Sequence, residues 1–561
     1  MFQFVLTRPE RFAFSAFGIV FLISFVTITG QWYQRSTKAI PAIGGAYREG
    51  VVGQPRLINP IFAASNDVDR DIAELVFSGL TRYLPDGSIA PDLAERYEIS
   101  ADGKVYTFYL PEGATWHDGK PVTADDIVFT VALMQDTRVE SPLRLNWQGV
   151  KAEKIADRRV QFTLVNSYAP FLENTTVGIL PKHLWEKIPA ENLRLAEANL
   201  RPVGTGPFEF KRFRKDSLGG VYSYTLTRFA GARRPAYLQT LVFRFFGTEE
   251  EVLKAYSKND IDGFGLVTNR LAEALKKEAR RGTNIRTITL PRYFAVFFNQ
   301  TNSRVITDKS VRMALRQTIE NPEVLEQLLS GHGVALSGPI PPGLPGAISA
   351  APAAATPESD PQELLRQGGW KDSDGDGTLD KVLGKDKTAT PLSFTLATSD
   401  FADLQESAAV LKSAWEKLGV RVEVKLYALP ELEREVLRPR QYEALLFGEI
   451  LSLEPDPFAF WHSTQKRDPG LNLSLYENRA VDKLLEEARQ TLDKEARSAK
   501  LQEFSKLIQE DVPALFLYTP YFLYPQREHV KGTEMHIIAL PSHRFADVSN
   551  WYIYTERVWG E

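Results

Sequence analysis

His117 and Asp118 stand side by side in Ala114-Thr115-Trp116-His117-Asp118-Gly119-Lys120-Pro121, and an imidazole beside a carboxylate is a starting point for acid–base chemistry. The same residues also read as structure. Asp118-Gly119 is a turn dipeptide, Trp116 has the bulk of a packing residue, and Thr123 before Ala124-Asp125-Asp126 suits a helix N-cap, with Asp126 in the acidic place of a capping box. The structural reading leads. A second cluster is sharper. Asp372, Asp374, Asp376 and Asp380 occupy positions one, three, five and nine of a calcium-type loop, with Gly377 at the turn position and Thr378 beside it. The twelfth position, where a bidentate Glu closes the shell, is Leu383. These residues are expected either to hold a structural calcium ion or to form a solvated acidic turn. Other chemistries find no footing. The chain has no HExxH, no GxSxG and no glycine-rich loop ending in GK[ST], so it cannot energise transport by itself. It has no Cys, which removes disulfides, thiolate metal sites and cysteine nucleophiles, and its 7 His are scattered.

The elements that must position these groups alternate between strand and helix. Val105–Leu110 is aromatic and β-branched, a strand. Leu392, Phe394 and Leu396 alternate; Leu404, Ala408, Leu411, Trp415 and Leu418 recur at helical spacing; Val420, Val422, Val424 and Leu426 alternate again. That strand–helix–strand unit predicts a parallel pair with a right-handed crossover. Val481, Leu484, Leu485, Ala488 and Leu492 mark a further amphipathic helix. The soluble part is therefore mixed α/β, and 561 residues require more than one core-bearing unit. Ala350–Pro357 reads as a surface loop and residues 31–50 as a short tether. A net charge of −4 offers no general basic face for nucleic acid.

Phe12–Gly30 carries no charge, close to the ~20 residues that cross a bilayer as a helix. Trp32 and Tyr33 follow it and suit an interfacial aromatic belt. A cleaved signal peptide normally has an apolar stretch of ~7–15 residues and a small-residue cleavage site. The longer run ending in aromatics favours an uncleaved anchor, with the rest of the chain on one side of the membrane.

Three segments go beyond generic pattern: Pro91-Asp92-Leu93-Ala94-Glu95 through the WHDGKP and Thr123-Ala124-Asp125-Asp126 block; Pro202-Val203-Gly204-Thr205-Gly206-Pro207-Phe208; and Asn478 through Val481-Asp482-Lys483-Leu484-Leu485-Glu486-Glu487-Ala488-Arg489. In this order and spacing they resemble the family 5 extracellular solute-binding proteins of ABC importers, the peptide-, dipeptide- and nickel-binding group. The similarity runs from about residue 45 to 550. It implies a two-lobed, periplasmic-binding-protein-like (type II) α/β fold with an extra subdomain in lobe I, here joined to one N-terminal transmembrane helix over residues 1–34. Lobe I would comprise 45–80, 205–290 and 515–550, the extra subdomain 81–204, and lobe II 291–514.

The resemblance also implies function. The chain would be a receptor rather than an enzyme, needing no cofactor. It would capture short peptides between its lobes outside the cytoplasmic membrane, and it would dock onto the permease subunits of an ABC importer. A nickel chelate or an oligosaccharide is the alternative ligand. Peptide binders of the family hold the ligand's amino terminus with an acid on lobe II just before a DP-type motif. The matching stretch runs from Glu449 to Glu454-Pro455-Asp456-Pro457, so Glu449 and then Asp456 are the expected acids, with Phe458 and Trp461 as an apolar wall or as core. The paired acids alone would also admit a tethered hydrolase, but nothing in the sequence positions a water or a nucleophile there. Gly204 and Gly206 are expected to permit positive φ or close backbone approach where the chain returns to lobe I.

Overall fold

The computed structural model describes residues 7–265, 271–278, 282–331, 333–348 and 360–559. The Ala350–Pro357 stretch, expected as a surface loop, lies outside them. Helix α1 (Arg8–Ser36) is 29 residues long, about 44 Å at 1.5 Å per residue, and residues 12–30 pack against no part of the body. The short tether expected over 31–50 is not found. Helix α1 runs through Ser36, β1 (Thr37–Ala42) follows without a loop, and β2 (Ala46–Val52) already belongs to the main sheet. Tyr47 explains the difference: its ring is wholly buried in lobe I, so the chain has joined the core by that point.

Helix α2 (Asp67–Val76) is N-capped by Asn66, whose side chain accepts from the Val68 and Asp69 amides. The region expected as the extra subdomain is built on an antiparallel sheet of β3 (Arg96–Ile99), β4 (Val105–Tyr109), β5 (Lys151–Ala156) and β6 (Arg159–Thr163), in the order β3-β4-β6-β5. Tyr106, Phe108, Val160 and Phe162 form its buried face. Helix α3 (Ala124–Gln135) starts as expected, with the Asp126 carboxylate accepting from the Thr123 amide at 2.8 Å.

The main sheet has 12 strands. From lobe I come β7 (Phe208–Lys215), β8 (Val221–Arg228), β9 (Thr240–Phe246), β10 (Gly263–Phe264) and β11 (Thr283–Thr289). From lobe II come β12 (Arg292–Phe298), β13 (Gly333–Ala335), β14 (Ser393–Ser399), β15 (Arg421–Tyr427) and β16 (Ala444–Ile450). β17 (Ala514–Arg527) joins them, giving the order β15-β14-β16-β12-β17-β10-β2-β9-β8-β7, with β11 and β13 also on β17. The predicted strand–helix–strand unit is present: β14 and β15 are parallel from Ser393 opposite Arg421, joined by α4 (Ala402–Glu416). β17 serves both lobes, since Ala514–Tyr518 pairs with β12 while Tyr521–Arg527 pairs with β11. The change of lobe therefore falls inside one strand, and in the other crossing between β11 and β12. Helix α5 (Arg479–Gln490) packs lobe II through Val481, Leu485 and Ala488. The last described strand, β18 (Tyr554–Trp559), pairs antiparallel with β1.

The motif block is structural in detail. His117 Nδ1 accepts from the Gly204 amide at 3.1 Å, which leaves Nε2 to donate to the Gly206 carbonyl at 3.1 Å. Burial lowers the pKa of this imidazole to about 4, so it is neutral. His117 thus ties the subdomain to the Gly-Thr-Gly segment. Gly204 and Gly206 serve close approach rather than positive φ: a Cβ would lie 1.9 Å from the Val76 carbonyl at Gly204 and 2.5 Å from the Leu75 carbonyl at Gly206. A buried ionic network holds lobe I together. Arg544 bonds Glu49 at 2.9 Å and Asp71 at 2.8 Å, while Tyr47 and Tyr524 donate to the other Glu49 oxygen.

Candidate ligand-binding cleft

Helix α2 carries Val68, Ile72, Leu75 and Val76 into the core. The face alongside presents Arg70, Ala73 and Glu74 to a cavity of about 330 Å³. Lobe I adds Arg234 and His543; the region expected as the extra subdomain adds Tyr83, Asp92, Asn146, Trp147 and Glu173; lobe II contributes Leu451 and Ser452. The cavity therefore lies where the three parts meet.

Its electrostatics are mixed. Glu74 has no hydrogen-bond partner among the described residues, and burial first, then the neighbouring Asp92, raise its pKa to about 8. Asp92 itself is paired with Arg234, at 3.1 Å and 3.3 Å. Arg82 is loosely held: its nearest carboxylate, Asp547, is 4.0 Å away and its buried Nε has no partner. His543 lies against the Tyr83 ring at 4.8 Å, and burial lowers its pKa to about 4, so the imidazole is neutral and its Nδ1 unpartnered. A guanidinium and an ionisable acid thus face one small space from fixed positions, an arrangement suited to a ligand bearing both charges.

Contacts beside the cavity join the subdomain to lobe II. Glu173 accepts from the Glu454 amide at 2.9 Å, with the Tyr83 hydroxyl also at its carboxylate, and burial raises its pKa to about 7. The Ala169 amide donates to the Arg489 carbonyl at 2.7 Å, and the Tyr168 hydroxyl donates to Asp456 at 3.1 Å.

The residues expected from sequence are distributed differently. Glu449 lies on β16 directly opposite Tyr293 of β12. It is 3% exposed, and the Tyr293 hydroxyl donates to its Oε2. Its Oε1 has no partner, and burial raises its pKa to about 8. It does not line the cavity, whose wall begins two residues later at Leu451. Asp456 is held by Arg489, at 2.9 Å from Nε and 2.8 Å from the terminal guanidinium nitrogen. Phe458 is half-buried, stacked on His462 at 4.1 Å, with the Arg489 guanidinium 4.1 Å over its ring. Trp461 is 1% exposed and packs among Phe297, Tyr476, Phe504 and Phe516, so it is core. Asp456 and Phe458 are thus brought together at the closure contact, and Glu449 and Trp461 in the lobe II interior.

In the acidic turn, oxygens of Asp372, Asp374 and Asp376 lie within 4.8 Å of one another. They also close the turn on itself. Asp372 accepts from the Gly375 and Gly377 amides, Asp374 from Asp376, and Asp376 from Thr378 and from Arg421. Asp380 turns away to Ser373, and the Thr378 hydroxyl accepts from Arg421.

Sequence reasoning missed Glu74, Arg82, Glu173, Arg234 and His543. One signal was available: Asp71 and Glu74 are three apart on a short helix whose apolar residues flank them, so charge sits at the edge of a buried face.

The family described as bacterial extracellular solute-binding proteins, family 5 (middle), matches residues 88–470. The oligopeptide-binding protein AppA of Bacillus subtilis is 28% identical over 524 residues, covering 91% of this chain and 92% of that one. The solved structure of AppA from Bacillus subtilis in complex with a nonapeptide has a TM-score of 0.70 at 26% identity, covering 92% of this chain and 100% of that one. NikZ from Campylobacter jejuni, solved in complex with Ni(L-His), has the same fold: TM-score 0.70, 24% identity, covering 90% of this chain and 99% of that one.

Proposed function

The chain belongs to the bacterial extracellular solute-binding proteins of family 5, and from that premise we propose that it is the receptor of an ABC-type importer, capturing short peptides between its lobes and passing them to a membrane permease. The observation that carries the peptide reading is the cavity between the lobes with Glu74 and Arg82 on its walls. A peptide is a zwitterion, so its ammonium and carboxylate match the unpartnered acid Glu74, which gives up its proton in the ammonium's field, and a guanidinium weakly paired. The naming of relatives as oligopeptide- and dipeptide-binding proteins supports the same class. A volume at the small end of the ~300–1,000 Å³ usual for ligand pockets favours a peptide of few residues. Glu74 takes the ammonium, Arg82 takes the carboxylate, and Glu173, Tyr168 and Asp456 close the lobes over the ligand. Glu449 supports the lobe II sheet behind them.

The protein acts as a receptor rather than a catalyst, a reading supported by the solute-binding description of its family. Helix α1 is its uncleaved membrane anchor, keeping the body outside the cytoplasmic membrane at high effective concentration near the permease. Native mass spectrometry of the full chain released from detergent tests the ligand class. A ladder of adducts matching short peptides carried from the expression host is expected. A single non-peptide adduct, such as a nickel chelate or an oligosaccharide, would overturn the peptide reading.

A further inference from the structure

The strand that closes the chain on its own anchor has no counterpart in the ligand-binding machinery. β18 pairs with β1 along its whole length, from Thr37 opposite Trp559 to Ala42 opposite Tyr554. β1 is continuous with α1, so β18 is fastened to the end of the membrane helix. The fastening is specific. Arg557 donates to the Gln34 carbonyl at 2.8 Å, to the Thr37 carbonyl at 2.9 Å and to the Thr37 hydroxyl at 2.7 Å. A guanidinium here satisfies carbonyls that the end of a helix leaves free and sits at the negative end of its dipole. The Trp559 ring lies 5.4 Å from Trp32 and 5.7 Å from Tyr33, which places all three rings at one level just beyond the uncharged run of α1.

All six residues of β18 are exposed, including Tyr554 at 55%, Val558 at 39% and Trp559 at 59%. Rings held this firmly yet left uncovered by protein are suited to the headgroup layer of a bilayer, where amphipathic aromatics concentrate. We propose that β18 is the second half of the membrane mount, lying in the interfacial layer of the phospholipid bilayer with Trp559 beside Trp32 and Tyr33. This rests on the reading of α1 as an uncleaved anchor. The consequence is a body set at a fixed height and tilt, because the ribbon of β1 and β18 replaces a flexible linker.

The chain has no Cys, so single cysteines give clean probe sites. Full-length V558C, I23C and L218C, the last at a hairpin position 95% exposed, are labelled with an environment-sensitive nitrobenzoxadiazole and reconstituted in phosphatidylcholine–phosphatidylglycerol vesicles. Nitroxide lipids report depth. Quenching at V558C is expected to be several-fold stronger than at L218C and greatest with the nitroxide near the headgroup, while I23C is quenched most by the deep nitroxide. In R557A/V558C the shallow quenching should be lost while α1 remains inserted. An immersed I23C with V558C as aqueous as L218C would overturn the proposal and leave the anchor standing. An aqueous I23C would overturn the anchor itself, and the proposal with it.

Discussion

The Tyr168 hydroxyl donates to the Asp456 carboxylate over 3.1 Å, from the four-stranded subdomain to the second lobe. Arg489 holds the same carboxylate from lobe II and lies over the rings of Phe458 and Tyr168. An acid expected to bind ligand is therefore occupied in holding the closed arrangement, where hydrogen bonds form only when the lobes meet. Tyr168→Phe should loosen closure by about 1 kcal/mol, a roughly fivefold weaker ligand affinity. Asp456→Ala should cost more, because it strands the Arg489 guanidinium. Titration calorimetry gives the affinity, and small-angle scattering gives the open fraction. Unchanged affinity and scattering in both variants would remove the latch.

With Glu74 as the proposed ammonium site, ligand binding is a proton-linked event. Its pKa of about 8 leaves the empty site largely protonated at neutral pH. An ammonium beside it favours the carboxylate, so binding releases a proton. Peptide affinity should rise by up to about tenfold per pH unit between pH 6 and 8. It should then level as the ligand's own amino group titrates near ~8. Calorimetry in buffers of different ionisation enthalpy should show proton release at pH 7 in the wild type and none in Glu74→Gln. Equal release in both proteins would reassign the ammonium site.

The interior acids set a pH dependence of stability. Glu449 titrates near 8 in the fold because of burial. The folded protein therefore keeps a proton that the unfolded chain gives up above ~4.5, and stability falls as pH rises from about 5 to 8. Glu449→Gln removes this contribution. Its melting temperature relative to wild type should be higher at pH 8.5 than at pH 5, by an amount on the order of 2–4 kcal/mol in stability. A pH-independent difference would mean that Glu449 is ionised throughout.

The acidic turn offers a direct test of metal binding. Asp380 faces Ser373, Arg421 shares Asp376, and Leu383 stands where a bidentate Glu would close the shell. The expected result is the same melting temperature in millimolar calcium and in chelator. A calcium-dependent rise that Asp372→Asn abolishes would assign the turn as a structural calcium site.

Sequence by itself determined the elements whose patterns are local. Alternating Leu392, Phe394 and Leu396, the helical run to Trp415 and the valines from Val420 specified a parallel unit that β14, α4 and β15 reproduce. Thr123 and Asp126 specified the start of α3, and the order of the WHDGKP, GTGPF and Asn478–Arg489 segments was enough to identify the family. Only the tertiary structure decided which charges face the cavity. Glu74, Glu173, Arg234 and His543 are far apart in sequence and meet because three parts of the chain close on one cavity. Glu449 looked like a cleft residue by position, but strand register sets it opposite Tyr293 in the interior, and Trp461, open between wall and core in the sequence, packs on Phe516 from a short helix. A carboxylate is equally legible in a sequence whether it will be buried, paired or free. Its role depends on neighbours contributed by distant segments, and so does the ribbon that joins Thr37 to Trp559.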